Sequence, residues 1–249
     1  MEAVMDLMPQ TESASATAPI WQDVLAQAVT GELVAAMNYA ALAGICDDPA
    51  EAGEAREHAA IERSHAAAFV AAGKKIGVDV VSNADSKHWK RIREVFMRCV
   101  AERDTSGCLI IQEIMLESFA LASYTRVALV APESLGRIFG AIAADEQEHA
   151  DHAMAILKAE REANPGRFDD KLYRLHLEVM TTLAKMLAKE CKDGHCEVCQ
   201  SSCVKPSLVE VNLSAAMLRG ASLQQYLRML DELGLPGEVT LAWIAQLPV

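Results

Sequence analysis

The chain of 249 residues is long enough for one large domain or for two smaller ones. Hydrophobic residues make up 51% of it and charged residues 23%, which excludes a disordered or low-complexity protein. Lysine and arginine number 23 against 35 aspartates and glutamates, and the net charge of -12 argues against nucleic acid or an anionic membrane as the main partner.

The first part of the sequence lacks the basic residues of a targeting signal, since Arg56 is the first lysine or arginine. The longest uncharged apolar stretch, Leu33–Cys46, is too short to cross a bilayer. We therefore expect a cytoplasmic protein without a transmembrane segment.

Helical periodicity dominates the first two thirds of the chain. Residues 1–18 are rich in Ser, Thr and Ala and are expected to form a flexible arm. The pattern that follows predicts four long helices and, between the second and third, one connecting helix: about Ile20–Ile45, Pro49–Ile76, Ala84–Arg103, Ser106–Ala131 and Glu133–Ala163. We infer an all-α four-helix bundle with a crossover helix over residues 19–168.

The remaining residues, 169–249, are predicted to form a helical extension that packs on the bundle. A helix is expected over residues 169–192, followed by a Cys-rich insertion at 191–203 and by two or three shorter helices. Gly220 and the sequence Leu235-Pro236-Gly237 are the expected breaks between these shorter helices.

Charged side chains interrupt the apolar stripe of all four long helices. The second and fourth helices each carry Glu-x-x-His, and the first and third each carry one Glu with a Tyr seven residues later. Equivalent residues lie 84 or 85 positions apart, which indicates an internal repeat. A Glu from two helices plus Glu-x-x-His from the other two is the ligand set of ferritin-like proteins that hold two iron or two manganese ions. The candidate ligands are Glu32, Glu62, His65, Glu117, Glu146 and His149.

The chemistry of this set explains why its charge can be buried. Residues i and i+3 lie side by side on a helix, so the Glu can bridge two ions while the His binds one of them. Four carboxylates balance the charge of two divalent ions. Surface ion pairs or hydrogen-bonded core histidines would explain single residues, but not the whole repeated set.

Several neighbours of the candidate ligands are polar as well. Asp145 lies four residues before His149 and is expected to hold the free ring N–H of that histidine. Glu113 and His58 each lie one turn before a ligand, where they could be extra ligands or, alternatively, a polar contact and a packed histidine. The residues expected to support the ligands are Tyr39, Gln112, Tyr124 and Asp145.

Together these residues resemble the aldehyde-deformylating oxygenases, which form the long-chain fatty aldehyde decarbonylase family within the ferritin-like di-iron carboxylate proteins. The similarity covers about residues 20–160. It is carried by these segments: Gly31-Glu32, Asn38-Tyr39, Glu62-Arg63-Ser64-His65, Cys108 to Gln112, Glu117 with Tyr124, and Asp145-Glu146 with His149.

The resemblance implies that the six candidate residues bind two irons in a non-haem oxygenase. Such an enzyme uses O2 and electrons from an external donor, such as ferredoxin and its reductase, to convert an apolar long-chain aldehyde into a hydrocarbon plus formate. The sequence departs from the family at Glu113, where a small apolar residue is usual. A further carboxylate there would change the polarity beside the metals.

Two other functions stay open from the residues alone. One is a di-iron oxygenase of a different reaction, such as N-oxygenation or oxidative C–C cleavage of an amine or amino acid, which Glu113 and His58 favour. The other is metal storage or peroxide scavenging. Many peroxide reducers of that kind carry two Cys-x-x-Cys pairs, whereas this chain has a single one, at Cys196 and Cys199.

A group of cysteines with metal-ligand spacing lies in the extension. Four thiols within 13 residues suit a structural tetrahedral Zn²⁺. The alternatives are a redox dithiol or disulfide, an iron–sulfur cluster, or no metal. The residues of this candidate second metal site are Cys191, Cys196, Cys199 and Cys203.

Overall fold

The computed structural model describes residues 13–188 and 205–248. Within these ranges every regular element is helical, which confirms the all-α prediction. The α-helices are α1 (Ser13–Leu42), α2 (Pro49–Lys75), α3 (Lys87–Ala101), α4 (Thr105–Leu109), α5 (Glu117–Val130), α6 (Glu133–Ala163), α7 (Pro165–Leu175), α8 (Thr181–Ala188), α9 (Ala215–Glu232) and α10 (Gly237–Ile244). Two π-helical segments, Ile110–Leu116 and His176–Met180, and a 3-10 segment, Lys205–Val211, lie between them.

The bundle is built from two helix pairs, because α1 packs along α2 and α5 packs along α6. Helix α3 is the crossover between the two pairs and corresponds to the predicted connecting helix. Helix α2 has the predicted ends: Asp48 accepts a hydrogen bond from the backbone N–H of Ala50, Pro49 is the first helical residue, and Gly77 follows with a φ of 77°.

Two apolar cores fill the bundle, one on each side of a charged layer. Phe69 and Phe139 belong to the first core, and Phe96 and Ile111 belong to the second. Along each bundle helix the residues of one core are separated from those of the other by the candidate ligands of that helix: Glu32 on α1, Glu62 and His65 on α2, Glu117 on α5, Glu146 and His149 on α6. The fold therefore places all six residues at the same level of the bundle.

The first helix is longer than the sequence pattern predicts. It begins at Ser13 and includes Pro19, so residues 13–18 of the expected flexible arm are helical, and the predicted start at Ile20 is too late. Proline interrupts a helix by removing one N–H and crowding the carbonyl four residues earlier. Here Pro19 lies inside α1 and does not end the helix.

The third bundle helix runs from Thr105 to Val130 and contains a π-helical segment in its middle. Hydrogen bonds from i to i+5 bring residues that are five apart onto the same face. Gln112, Glu113 and Glu117 are thereby all turned inward, with at most 4% of each residue exposed. By length and composition this helix would also pass as a membrane span, but 72% of the window concerned is buried inside the fold, as in a bundle core helix.

The C-terminal elements pack on the bundle, mainly through α9 against α5. The helix expected from residue 169 begins at Pro165, where the side chain of Asn164 accepts a hydrogen bond from the N–H of Arg167. Gly220 does not break a helix as expected, because it lies inside α9. A helical glycine costs only about 1 kcal/mol, which the packing of α9 outweighs. The break at residues 235–237 is confirmed.

Candidate metal centre

Two histidines and three carboxylates meet in the charged layer. The Nδ1 atom of His65 lies 3.4 Å from Glu32, 3.4 Å from Glu62 and 3.1 Å from Glu146. The Nδ1 atom of His149 lies 3.3 Å from the second oxygen of Glu62 and 3.3 Å from the second oxygen of Glu146. Glu62 and Glu146 therefore each present one oxygen to each histidine, which is the geometry of a bridging carboxylate.

The donor atoms of this group fit metal ions better than they fit hydrogen bonds. Both oxygens of Glu62, one of Glu146 and Nδ1 of His149 are buried without a hydrogen-bond partner. Atoms bound to one first-row metal ion at about 2.1 Å stand roughly 3.0–3.4 Å apart. The observed separations of 3.1–3.4 Å fall in this range. One ligand atom from each of four buried residues, Glu32, Glu62, His65 and Glu146, lies within 4.8 Å of the others.

Glu117 supplies the remaining carboxylate. It is 4% exposed and lies in the charged layer. One of its oxygens accepts a hydrogen bond of 2.6 Å from Gln112, as predicted for that glutamine. In the internal repeat Glu117 is equivalent to Glu32, which lies beside His65.

Burial and mutual repulsion perturb the pKa values of these groups strongly. Burial raises the pKa of Glu32 and Glu117 well above the ordinary value, and the neighbouring carboxylates add to this effect. Burial alone would lower the pKa of His65 and His149, but the adjacent carboxylates of Glu62 and Glu146 favour the charged rings and raise the two pKa values to about 12 and about 10. Two divalent ions would supply the positive charge that protonated groups provide in their absence.

A chain of buried amides leads from the protein surface to Glu117. The half-buried guanidinium of Arg93 on α3 donates to Asn38, Asn38 donates to Gln112 over 2.8 Å, and Gln112 donates to Glu117. Asn38 and Gln112 are at most 1% exposed. Arg93 was not identified from the sequence, because the contact joins α3 to α1 and no local spacing relates these helices. Such a chain fixes the orientation of the carboxylate.

The two tyrosines of the repeat have different partners. Tyr124 donates its hydroxyl hydrogen bond to Glu32, which supports its predicted role beside a ligand. Tyr39 donates instead to Glu113, a carboxylate outside the set of six. Glu113 is 1% exposed, its second oxygen has no hydrogen-bond partner, and burial raises its pKa to about 7.

Asp145 does not contact the histidine that the sequence predicts. Its carboxylate lies 3.2 Å from Nε2 of His65, whereas Nδ1 of His149 faces Glu62 and Glu146. The expected i to i+4 contact along α6 is replaced by a contact across to α2, because the inward direction of His149 carries its ring away from Asp145. Asp145 thus holds the outer nitrogen of one candidate ligand.

His58 packs on the centre rather than pointing into it. Its ring stacks on that of His149 with centroids 4.1 Å apart and an interplanar angle of 21°, and it meets Tyr39 edge-on. Burial lowers the pKa of His58 to about 4, which keeps the ring neutral. These contacts are those of a packed histidine, the second of the two roles predicted for it.

A largely apolar cavity of about 230 Å³ adjoins the charged layer. Its walls come from α1, α5 and the C-terminal elements, and it reaches the candidate centre at four residues: Glu32, Gln112, Glu117 and Tyr124. Asp23 and Gln27 also line it, and neither was selected from the sequence, because each lies at the edge of the apolar stripe of α1. The predicted cysteine site lies outside the described residues, although Leu187 and Lys205, on either side of that segment, both line the cavity.

Comparison with known proteins agrees with this geometry. The chain shares its fold with a protein from Synechococcus described as having aldehyde deformylating oxidase activity, at a TM-score of 0.78 and 20% identity over 94% of this chain and 98% of the other. The sequence profile of long-chain fatty aldehyde decarbonylases matches residues 19–210. The chain therefore belongs to the long-chain fatty aldehyde decarbonylase family.

Proposed function

We propose that the protein is a di-iron oxygenase that converts a long-chain aldehyde into a hydrocarbon one carbon shorter plus formate. The observation that carries this proposal is that the apolar cavity ends at candidate metal ligands. Glu32 and Glu117 belong both to the ligand set and to the cavity wall, so a chain lying in the cavity brings its head group to the metals. An apolar wall suits an alkyl chain.

The residues divide the work as follows. Glu32, Glu62, His65, Glu146 and His149, whose donor atoms face one another, would hold two irons together with Glu117. When bound and reduced, such a pair supplies the electrons with which O2 is activated. Formation of the new C–H bond and of formate then requires further electrons and protons, for which an external donor such as ferredoxin with its reductase is proposed.

The protein groups around the centre hold protons and exclude water. Tyr124 keeps its hydroxyl proton, since burial raises its pKa well above the ordinary value, and it donates to Glu32. Gln112 donates a hydrogen bond to Glu117 and fixes the orientation of that carboxylate. Phe69, Phe139 and Tyr124 pack their rings against one another with centroids 4.6–5.4 Å apart, which closes the first core against solvent.

The test is turnover by purified, iron-loaded protein with a reductant, O2 and a panel of long-chain aldehydes, with formate and hydrocarbon measured by mass spectrometry. Glu62→Ala should abolish activity and lose both metals while the helical content is kept, because its two oxygens serve both positions. The matched control is Glu57→Ala, an exposed glutamate of the same helix. Retention of two metals by Glu62→Ala would refute the ligand assignment.

A second candidate reaction is favoured by one observation, the fifth buried carboxylate at Glu113. A further negative charge beside the metals suits a substrate that brings a positive charge or a hydrogen-bond donor, such as an amine. The same assay with amines and amino acids separates the two reactions: O2 consumption without formate would support the second and contradict the first.

A further inference from the structure

The cavity wall contains one acidic residue, away from the candidate metal centre, for which the described part of the chain offers no partner. Asp23 on α1 is 7% exposed and lines the cavity. Among the hydrogen bonds and ion pairs of the described residues, none involves its carboxylate. Burial raises its pKa to about 6, and no cation of the described residues offsets that effect. A molecule bound in the cavity could therefore donate a hydrogen bond to the carboxylate of Asp23.

Asp23 lies toward the opposite part of the cavity from the candidate centre. Nine residues separate it from Glu32, which corresponds to about 13 Å along the helix axis at 1.5 Å per residue. Between them the wall of α1 is formed by Val24, Ala28 and Gly31. A ligand whose head lies at Glu32 would pass this apolar stretch before it reaches Asp23.

A buried carboxylate is costly to leave unpaired. A chain that ends in a methyl group and fills the cavity would remove water from Asp23 without replacing the lost hydrogen bonds. A chain that ends in a hydroxyl or an ammonium group would restore them. A site built to bind a polar group discriminates strongly against the analogue that lacks the group.

We propose that Asp23 binds a hydrogen-bond donor, a hydroxyl or a protonated amine, at the end of the substrate remote from the aldehyde. The inference rests on the proposed function and narrows its substrate class to ω-substituted aldehydes. Asp23 is then a specificity-determining residue that takes no part in the oxidation itself. Gln27, one turn further along α1 and also on the cavity wall, is placed to contact the same group.

The experiment compares aldehydes of equal chain length that end in a methyl, hydroxyl or amino group, using the full-length iron-loaded protein. The wild type should convert the ω-substituted aldehydes with a kcat/KM about tenfold higher than the plain ones, the effect of one hydrogen bond to a charged group. Asp23→Leu should reverse this preference. Asp23→Asn should lose it for the amine and keep part of it for the alcohol, because an amide is uncharged but still accepts a hydrogen bond.

Glu57→Leu is the matched control, since it removes one acidic group from an exposed position and should keep the wild-type preference. Binding of a fatty acid and of its ω-hydroxy counterpart, measured by calorimetry, provides a readout without turnover. Formate from all aldehydes, with equal kcat/KM values in wild type and Asp23→Leu, would overturn the role of Asp23. Absence of formate from every aldehyde would instead refute the proposed function on which the inference rests.

Discussion

Tyr39 donates its hydrogen bond to Glu113, which is not one of the six candidate ligands, whereas its counterpart in the repeat, Tyr124, donates to the ligand Glu32. The internal symmetry of the bundle is therefore broken at one carboxylate. Tyr39 donates to Glu113, and Glu117 accepts its hydrogen bond from Gln112 instead. Glu32 and Glu117, which are equivalent in the repeat, therefore have different hydrogen-bond partners, a tyrosine and a glutamine.

The Tyr39–Glu113 pair should be strongly coupled in the metal-free protein. A buried hydrogen bond to a charged group contributes about 1.5–3 kcal/mol, so a double-mutant cycle of Tyr39→Phe and Glu113→Leu should give a coupling of that size in urea denaturation. Tyr39→Phe combined with Glu210→Leu, an exposed position beside the other apolar core, should be additive. A coupling of the first pair no larger than that of the second would show that their contact is not a stabilising hydrogen bond.

The grouping of the candidate ligands could be predicted from the sequence because each Glu-x-x-His lies within one helical turn. Their spacing is local, and burying such charge on an apolar stripe has few explanations besides a metal. The pairing of the polar residues around the ligands could be predicted only in part. Tyr39 and Glu113 are 74 residues apart, and their contact depends on the rotation of one helix against another.

The π-helical segment Ile110–Leu116 shows the same limit. Its residues have the pattern of an ordinary α-helix, so the sequence placed Gln112 near Glu117 without indicating the wider turn that puts both on one face. The helix break predicted at Gly220 was wrong. Glycine often ends helices, but here the packing of α9 on α5 keeps the helix continuous. Tertiary contacts, which local patterns do not contain, decided both cases.

Two glycines one turn apart on α6 should respond oppositely to alanine. A Cβ atom at Gly136 would lie 2.7 Å from the carbonyl oxygen of Ala128, whereas at Gly140 its nearest neighbour would be 3.9 Å away. Gly136→Ala should therefore destabilise the protein by about 1–3 kcal/mol through overpacking against backbone. Gly140→Ala should stabilise it by about 0.5–1 kcal/mol through helix propensity. Urea denaturation measures both, and equal effects would contradict the close approach of α5 and α6.

The buried histidine of the C-terminal extension should make stability depend on pH. His176 is fully buried; its Nε2 lies 3.2 Å from the carbonyl oxygen of Trp243 and its Nδ1 lies 3.1 Å from the Tyr226 hydroxyl. Because the carbonyl can only accept, Nε2 carries the proton and the tyrosine donates to Nδ1. Burial lowers the pKa of His176 from 6.5 to about 4, despite the opposing effect of the carbonyl.

A folded-state pKa below the unfolded one means that the stabilisation is complete above pH 6.5 and is lost as the pH falls toward 4. The expected loss is about 3 kcal/mol. His176→Phe should be less stable at pH 7.5, because Tyr226 loses its acceptor, but its stability should fall less steeply between pH 6.5 and 4. Leu177→Gln, at the exposed and non-titrating position next to His176, is the control and should keep the wild-type slope. Parallel slopes for all three proteins would show that His176 does not titrate with unfolding.

Removing the amide of Gln112 should weaken one metal position more than the other. Gln112→Leu deletes the donor 2.6 Å from Glu117 and interrupts the chain from Asn38, but leaves Glu32 and its partner Tyr124 untouched. Loss of such a supporting hydrogen bond costs about 10–100-fold in metal affinity. Stepwise titration with Co²⁺, followed by absorbance, should therefore show one site weakened by that factor and one nearly unchanged.

The control for this variant is Gln147→Leu, which also removes a glutamine bonded to a carboxylate, that of Asp151, but on the exposed face of α6. It should bind both ions like the wild type. If Gln112→Leu weakened both positions equally, the amide would act on the fold of the bundle rather than on Glu117. If it weakened neither, the orientation of Glu117 would be set by the metal itself, and the buried chain from Arg93 would serve stability alone.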